Sequence, residues 1–226
     1  MLGTALVIMT RCPEKGKVKT RLARSIGEEA TLQLYQAFLV DLATRFTCGP
    51  QDLYWAYTPV ESDFEASLAS LLPAEVPSGR ALPQQGEDLG ERLHHVFLRL
   101  SQHYQHTIVI ASDSPHVSQK IIDQAAQALT FADIVLGPAE DGGYYLIAMR
   151  TAHDVFRDIP MSTSSVLRMT IEKARCQGLT VHLLEPLFDV DELADLQRLA
   201  RMLQEESLLA PVTAASIASS MKELVW

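Results

Sequence analysis

The sequence has no apolar run approaching the ~18 consecutive residues of a membrane span. Its first apolar stretch, Ala5 to Met9, is too short for a secretion signal and has no basic residue ahead of it. The expectation is a cytoplasmic protein with no membrane span. Cysteine is scarce: Cys12, Cys48 and Cys176 are an odd number at wide spacing. That argues against a disulfide framework and a zinc site, and for reduced thiols. There is no internal repeat and no low-complexity tract. Basic residues are outnumbered, 19 Lys plus Arg against 28 Asp plus Glu. The chain therefore lacks the basic surface that nucleic-acid binding needs, and no nucleic-acid partner is expected. The GxxxxGK[ST] spacing of a Walker loop is also missing.

Apolar material is ample. Of 226 residues, 47% are hydrophobic, enough to form a core and to rule out disorder as the main state. The length suits one α/β domain over residues 1–226, with a helical tail from about residue 205. Strand and helix patterns alternate. Leu6 to Thr10 reads as a buried strand. Glu28 to Phe46 reads as a helix, with Leu32, Tyr35, Phe38, Leu39 and Leu42 at helical spacing. Asp52–Tyr57, Thr107–Ala111, Ile134–Leu136, Tyr144–Met149 and Val181–Leu184 read as strands, and a short one fits around Arg80–Leu82. Helices are expected at 62–72, 88–104, 118–129, 164–177, 193–203 and 212–225. This alternation predicts a mostly parallel sheet, Rossmann-like, with helices on both faces. Ligands of such sheets bind at the carboxyl ends of the strands.

The charge is unevenly spread. Residues 11–24 hold six basic side chains and one acid, Glu14, while the remainder carries a net charge of −14. A concentrated positive loop on an acidic protein points to a local anion site. In Arg11-Cys-Pro-Glu-Lys-Gly-Lys-Val-Lys-Thr-Arg21, Pro13 and Gly16 make an open turn. Lys17, Lys19 and Arg21 alternate, so an extended stretch would point them to one side, toward a di- or triphosphate. The bland reading is a solvated loop. A second motif runs from Gln84 to Arg92. There Gly86 and Gly90 permit close backbone approach, Gln84 offers an amide to a nucleobase, and Asp88 either joins that site or simply caps a helix.

Three acidic motifs follow. Asp113, in Ser112-Asp113-Ser114-Pro115-His116, ends the best core strand. It is placed to hold a divalent metal on a bound phosphate, or to form an Asx turn. His116 is expected at the surface or at a helix start. Glu140 and Asp141, ahead of Gly142, Gly143 and Tyr144, suit a general base or sugar-hydroxyl contacts, or form only a hairpin turn. Asp189 and Asp191 share a face if extended and could meet one cation, while Asp191 could cap the helix beginning at Glu192.

Taken together, the motifs Arg11-x-Pro13-x-x-Gly16-Lys17-x-Lys19-Thr20-Arg21, Gln84-x-Gly86-x-Asp88-Leu89-Gly90-Glu91-Arg92, Ser112-Asp113-Ser114-Pro115, Gly137-Pro138-x-x-Asp141-Gly142-Gly143-Tyr144 and Asp189-x-Asp191 occur in order. They resemble those of a bacterial glycosyltransferase family in the nucleotide-diphospho-sugar transferase superfamily, some of whose members are linked to arsenosugar biosynthesis. The basic segment is also similar to that of 2-phospholactate guanylyltransferases. The resemblance implies a GT-A-like fold, with phosphate contacts by Arg11, Lys17, Lys19 and Arg21 and base contacts near Gln84 to Gly90. It implies Mg²⁺ or Mn²⁺ at Asp113 with help from Asp189 or Asp191, and acceptor binding around Glu140 to Tyr144. Two departures pull in opposite directions. A single Asp stands where many glycosyltransferases carry Asp-x-Asp, and the Gly-rich first loop of sugar-nucleotide pyrophosphorylases is missing. The expectation is a metal-dependent transferase that takes a nucleotide-sugar donor and a small-molecule acceptor, with Asp141 or Glu140 as base. Its alternatives are a nucleotidyltransferase releasing pyrophosphate and a nucleotide-binding module without turnover. The tail is expected to pack on its own chain or on a second copy, as in a homodimer.

Overall fold

A computed structural model of the chain describes residues 2–161 and 163–220. The first strand, β1 (Leu2–Arg11), buries Ala5 and Val7 on one face and Leu6 and Ile8 on the other. Successive side chains of a strand point to opposite sides, so a strand apolar on both faces needs cover on both. The remaining elements provide it. In chain order they are α1 (Thr20–Ile26), α2 (Glu28–Phe46), β2 (Asp52–Thr58), α3 (Phe64–Leu71), β3 (Arg80–Pro83), α4 (Leu89–Leu100), β4 (Tyr104–Ala111) and α5 (Gln119–Ala128). Then come β5 (Ile134–Pro138), β6 (Tyr144–Met149), α6 (Val166–Cys176), β7 (Val181–Leu183), α7 (Leu193–Glu205) and α8 (Pro211–Ser220).

The strands form one sheet in the order β3-β2-β1-β4-β6-β5-β7. Only β6 runs antiparallel to its neighbours, β4 and β5. The doubly covered, mostly parallel sheet expected from the alternation is present. One core packs Leu6, Ile8, Phe38, Trp55, Ile108 and Leu196 on one face. The other packs Val7, Phe97, Val109, Ile147 and Phe156 against α4 and α6.

Several boundaries differ from the expectation by a few residues, and α1 falls where no helix span was expected; two of the helix ends matter for the packing. The helix expected to reach Tyr104 stops at Leu100, where a turn begins (His103 N–H donates to the Leu100 carbonyl) and Tyr104 opens β4. The tail helix is present as α8, and the rest of its expected span, 221–225, lies outside the described residues. α8 is held by a buried carboxylate from α2: Asp41 accepts the Val212 and Thr213 N–H groups at 3.0 and 2.8 Å. These are N-terminal donors that a helix cannot satisfy internally. Among the described residues no helix is long and apolar enough to cross a membrane.

Candidate active site

β1 lies where the chain's connections diverge, with β2 on one side and β4 on the other. In open α/β sheets the crevice at such a reversal, beyond the carboxyl ends of the strands, is where ligands bind. A cavity of about 680 Å³ opens there.

The basic segment reaches this cavity by a different backbone path from the one expected. It is not extended. Lys17 N–H donates to the Glu14 carbonyl, closing a turn in which Gly16 takes φ +72°, and α1 begins at Thr20. Buried Val18 and Leu22 anchor the turn in the core. Even so, Arg11, Lys17, Lys19 and Arg21 all line the cavity. Pro13 and Gly16 shape the turn and do not line it.

The centre of the site is an ion triad. Lys19 Nζ lies 2.8 Å from Asp113 Oδ1 and 2.8 Å from Asp191 Oδ1. The lysine side chain is 5% exposed, the two carboxylates 39% and 42%. Burial works against the lysine's charge, but the two carboxylates outweigh it and its pKa lies above the usual 10.5. Arg21 stands 3.8 Å from the other oxygen of Asp191. Asp191 does not cap α7. Glu192 does, and Asp195 accepts the N–H groups of Asp191 and Glu192, which leaves the Asp191 carboxylate free to face the cavity. Asp189 takes a separate position, accepting a hydrogen bond from Ser114 Oγ. Burial, reinforced by the nearby Asp113 and Asp141 charges, raises its pKa to about 6 against the pull of Ser114 and Lys19. Val190 N–H donates to the Asp113 carbonyl and so stitches the two acidic segments together.

The second motif divides between site and scaffold. Gln84 lines the cavity, but its amide nitrogen donates to the Thr10 and Ala56 carbonyls. Asp88 caps α4 by accepting Glu91 N–H at 2.9 Å. Gly86, at φ +128°, leaves room for Glu91 and Arg92, and Gly90 packs against Phe156 and Met161. None of these last three lines the cavity.

The motif expected to bind an acceptor lies outside the cavity lining too. Glu140 is held by Arg198 through two contacts of 2.6 and 2.8 Å, and this pairing lowers its pKa. Asp141, exposed, accepts Gly143 N–H at 2.8 Å. Gly142 adopts φ +91° with its Cα against the Ser164 carbonyl, a place no side chain fits. The Tyr144 hydroxyl is buried, which pushes its pKa well up. His116 corrects the surface reading. It is 3% exposed and stacks on Phe188 with ring centroids 4.4 Å apart.

Several residues carry the geometry without a sequence signal of their own. Tyr35 reads as a core residue of α2, yet its hydroxyl joins the Thr10 and Ser112 hydroxyls at 2.8 and 3.1 Å and accepts Arg11 N–H, tying the end of β1 to the end of β4. Arg45 donates to the Pro115 and Val117 carbonyls, both at 2.7 Å, and so fixes the loop after Asp113. Arg92 lines the cavity with its Nε bound to the Gly86 carbonyl. It lies four residues after the Asp88 cap, a spacing that brings it back over the loop.

The family model described as "Uncharacterized protein conserved in bacteria (DUF2064)" matches residues 41–163. The chain belongs to the DUF2064 family. A crystal structure from Desulfovibrio desulfuricans G20, given the provisional description of a nucleotide-diphospho-sugar transferase, is 31% identical, covering all of this chain and 97% of that one, with a TM-score of 0.90. At lower identity the fold alone is shared. A 4-diphosphocytidyl-2C-methyl-D-erythritol synthase from Anaerococcus prevotii DSM 20548 is 7% identical with a TM-score of 0.59, covering 90% of this chain and 99% of that one. A nucleotidyl transferase from Methanothermobacter thermautotroptrophicus gives 14%, 0.59, 90% and 99%. No curated protein matches this DUF2064 sequence.

Proposed function

We propose that this DUF2064 protein is a metal-dependent transferase acting on a nucleotide-activated donor, most simply a nucleotide-diphospho-sugar. One observation carries the reading: Arg11, Lys17, Lys19 and Arg21 share a crevice with Asp113 and Asp191 at the carboxyl ends of the strands. The likeness to the D. desulfuricans protein supports it. A diphosphate brings charge that Lys17, Arg21 and Arg11 are placed to hold, the arginines by forked contacts. Charge that develops on a departing nucleoside diphosphate is stabilised by donors already fixed in position.

Among the described residues no group of three or more His, Cys, Asp or Glu side chains is gathered as a metal site. The donor chemistry nevertheless fits a hard cation, because two carboxylates converge on one point that a positive charge already occupies. Asp113 and Asp191 are the residues that would hold Mg²⁺ or Mn²⁺, with Asp189 behind them. When bound, the ion would neutralise phosphate charge. Asp141 is the better candidate for a base accepting the acceptor's hydroxyl proton, since Glu140 is occupied by Arg198.

A second reading, nucleotidyl transfer, is favoured by the carboxylate arrangement. Asp113 stands alone in Ser-Asp-Ser and takes its partner, Asp191, from a distant segment. In that reading a phosphorylated substrate attacks the α-phosphorus of an NTP and pyrophosphate leaves. Product analysis with nucleotide sugars and NTPs separates the two: release of NDP supports glycosyl transfer, release of pyrophosphate supports nucleotidyl transfer. Asp113→Ala should abolish turnover while leaving the fold intact. Metal-dependent binding without any product would turn the assignment into a non-catalytic nucleotide-binding module.

A further inference from the structure

The position of Lys19 is unusual for a phosphate-binding lysine. At the edge of the cavity its ammonium lies between two carboxylates, 2.8 Å from each, with the side chain 5% exposed. The backbone is committed to that placement. Lys19 has φ +45°, and it and Asp158 are the only non-glycine residues at positive φ among the described residues. A left-handed lysine is uncommon, and such conformations persist where the surroundings hold them. The left-handed residue sits immediately before α1, where the turn swings its side chain inward.

The segments around the ammonium have backbone ties of their own. Asp113 is tied to the facing segment through its carbonyl by Val190 N–H, and the loop behind it is held by Arg45. The Asp191 backbone N–H is satisfied by Asp195. The backbone of both segments is thus tied by other groups, and the point between the two carboxylates is a cation position filled by a side chain. A divalent ion bound to both carboxylates would fall within a few ångströms of that ammonium, and two cations there repel. Lys17, Lys19 and Arg21 line the same cavity, so an anion held there would give the displaced ammonium another partner.

We propose that Lys19 is a built-in counter-ion for the metal position: in the ligand-free protein it holds Asp113 and Asp191 in place of a divalent cation, and on loading it withdraws to the donor's phosphate. This rests on the metal-dependent reading above and adds an order to it. The empty enzyme disfavours the metal, and metal and nucleotide enter together.

The test is Mn²⁺ binding without nucleotide, read from the paramagnetic resonance of free Mn²⁺, for the full chain and for Lys19→Met. The variant should bind Mn²⁺ at least about tenfold more tightly than the unmodified protein, equivalent to about 1.4 kcal/mol. Adding Asp113→Asn to Lys19→Met should abolish the gain, which places the ion at this pair. Mn²⁺ should also raise the melting temperature of Lys19→Met more than that of the unmodified protein, by mass action. If Lys19→Met does not fold, Lys19→Gln, whose amide still donates to a carboxylate, takes its place with the same expectation. Equal Mn²⁺ affinity with and without Lys19 overturns the counter-ion proposal while leaving the metal-dependent reading standing. Failure of every variant to bind Mn²⁺ overturns both.

Discussion

His116 is buried with neither ring nitrogen hydrogen-bonded, stacked on Phe188 in the loop that carries Asp113. Burial, together with the positive charges of Arg45 and Arg198, lowers its pKa from 6.5 to about 4. The consequence for stability has a definite sign. Above the unfolded value the ring is neutral in both states and its contribution is complete. As pH falls, the unfolded chain takes up a proton that the folded one refuses, and stability is lost until the folded value is reached. At about 1.4 kcal/mol per pH unit, the full loss is about 3 kcal/mol. Replacing His116 with Leu, an apolar residue that does not titrate, removes this pH-dependent component; the lost stacking on Phe188 is the same at every pH and drops out of the slope. Urea unfolding of both proteins from about pH 7 to about pH 4 should show the variant gaining about 3 kcal/mol relative to the unmodified chain. Carboxylates common to both proteins cancel in the difference. Parallel pH profiles would refute the burial argument.

Other consequences are more local. Asp41→Ala removes both acceptors from the start of α8 and should cost about 1–3 kcal/mol in urea unfolding; an unchanged midpoint would mean that α8 is held by packing alone. Gly142→Ala forces a methyl group onto the Ser164 carbonyl at positive φ. It should destabilise the chain by about 2 kcal/mol or more, measured by calorimetry. Lys17→Ala should weaken nucleotide affinity by about 1–3 kcal/mol in titration calorimetry without lowering the melting temperature of the free protein.

The fold was legible because its signals are local. The helical spacing of Leu32, Tyr35, Phe38 and Leu42 marks α2 at its observed ends, and the β-branched run ending at Ala111 marks β4. The cavity's basic wall was legible from charge density, although the extended path inferred for Lys17, Lys19 and Arg21 gave way to a turn. Buried Val18 and Leu22 pull that segment into the core. Partnerships were harder to read. Nothing local distinguishes Asp191 as the partner of Lys19 from Asp191 as a helix cap. Asp195, four residues later, decides it by taking the backbone N–H groups. His116 looked polar and superficial because the ring that covers it, Phe188, lies 72 residues away in sequence. Tyr35, Arg45 and Arg198 likewise act across strands and loops, where only the assembled sheet brings their partners within reach.

The central claim is that the crevice holds a nucleotide's phosphates against Arg11, Lys17 and Arg21 with a divalent cation beside Asp113 and Asp191. Its most direct test is a melting-temperature panel of NTPs, NDPs and nucleotide sugars, each with and without Mn²⁺, on the unmodified protein and on Arg21→Ala. The account predicts a rise with at least one nucleotide that depends on Mn²⁺ and shrinks in the variant, since selective binding to the folded state raises its stability. No rise with any nucleotide, or a rise indifferent to both Mn²⁺ and Arg21, would contradict it.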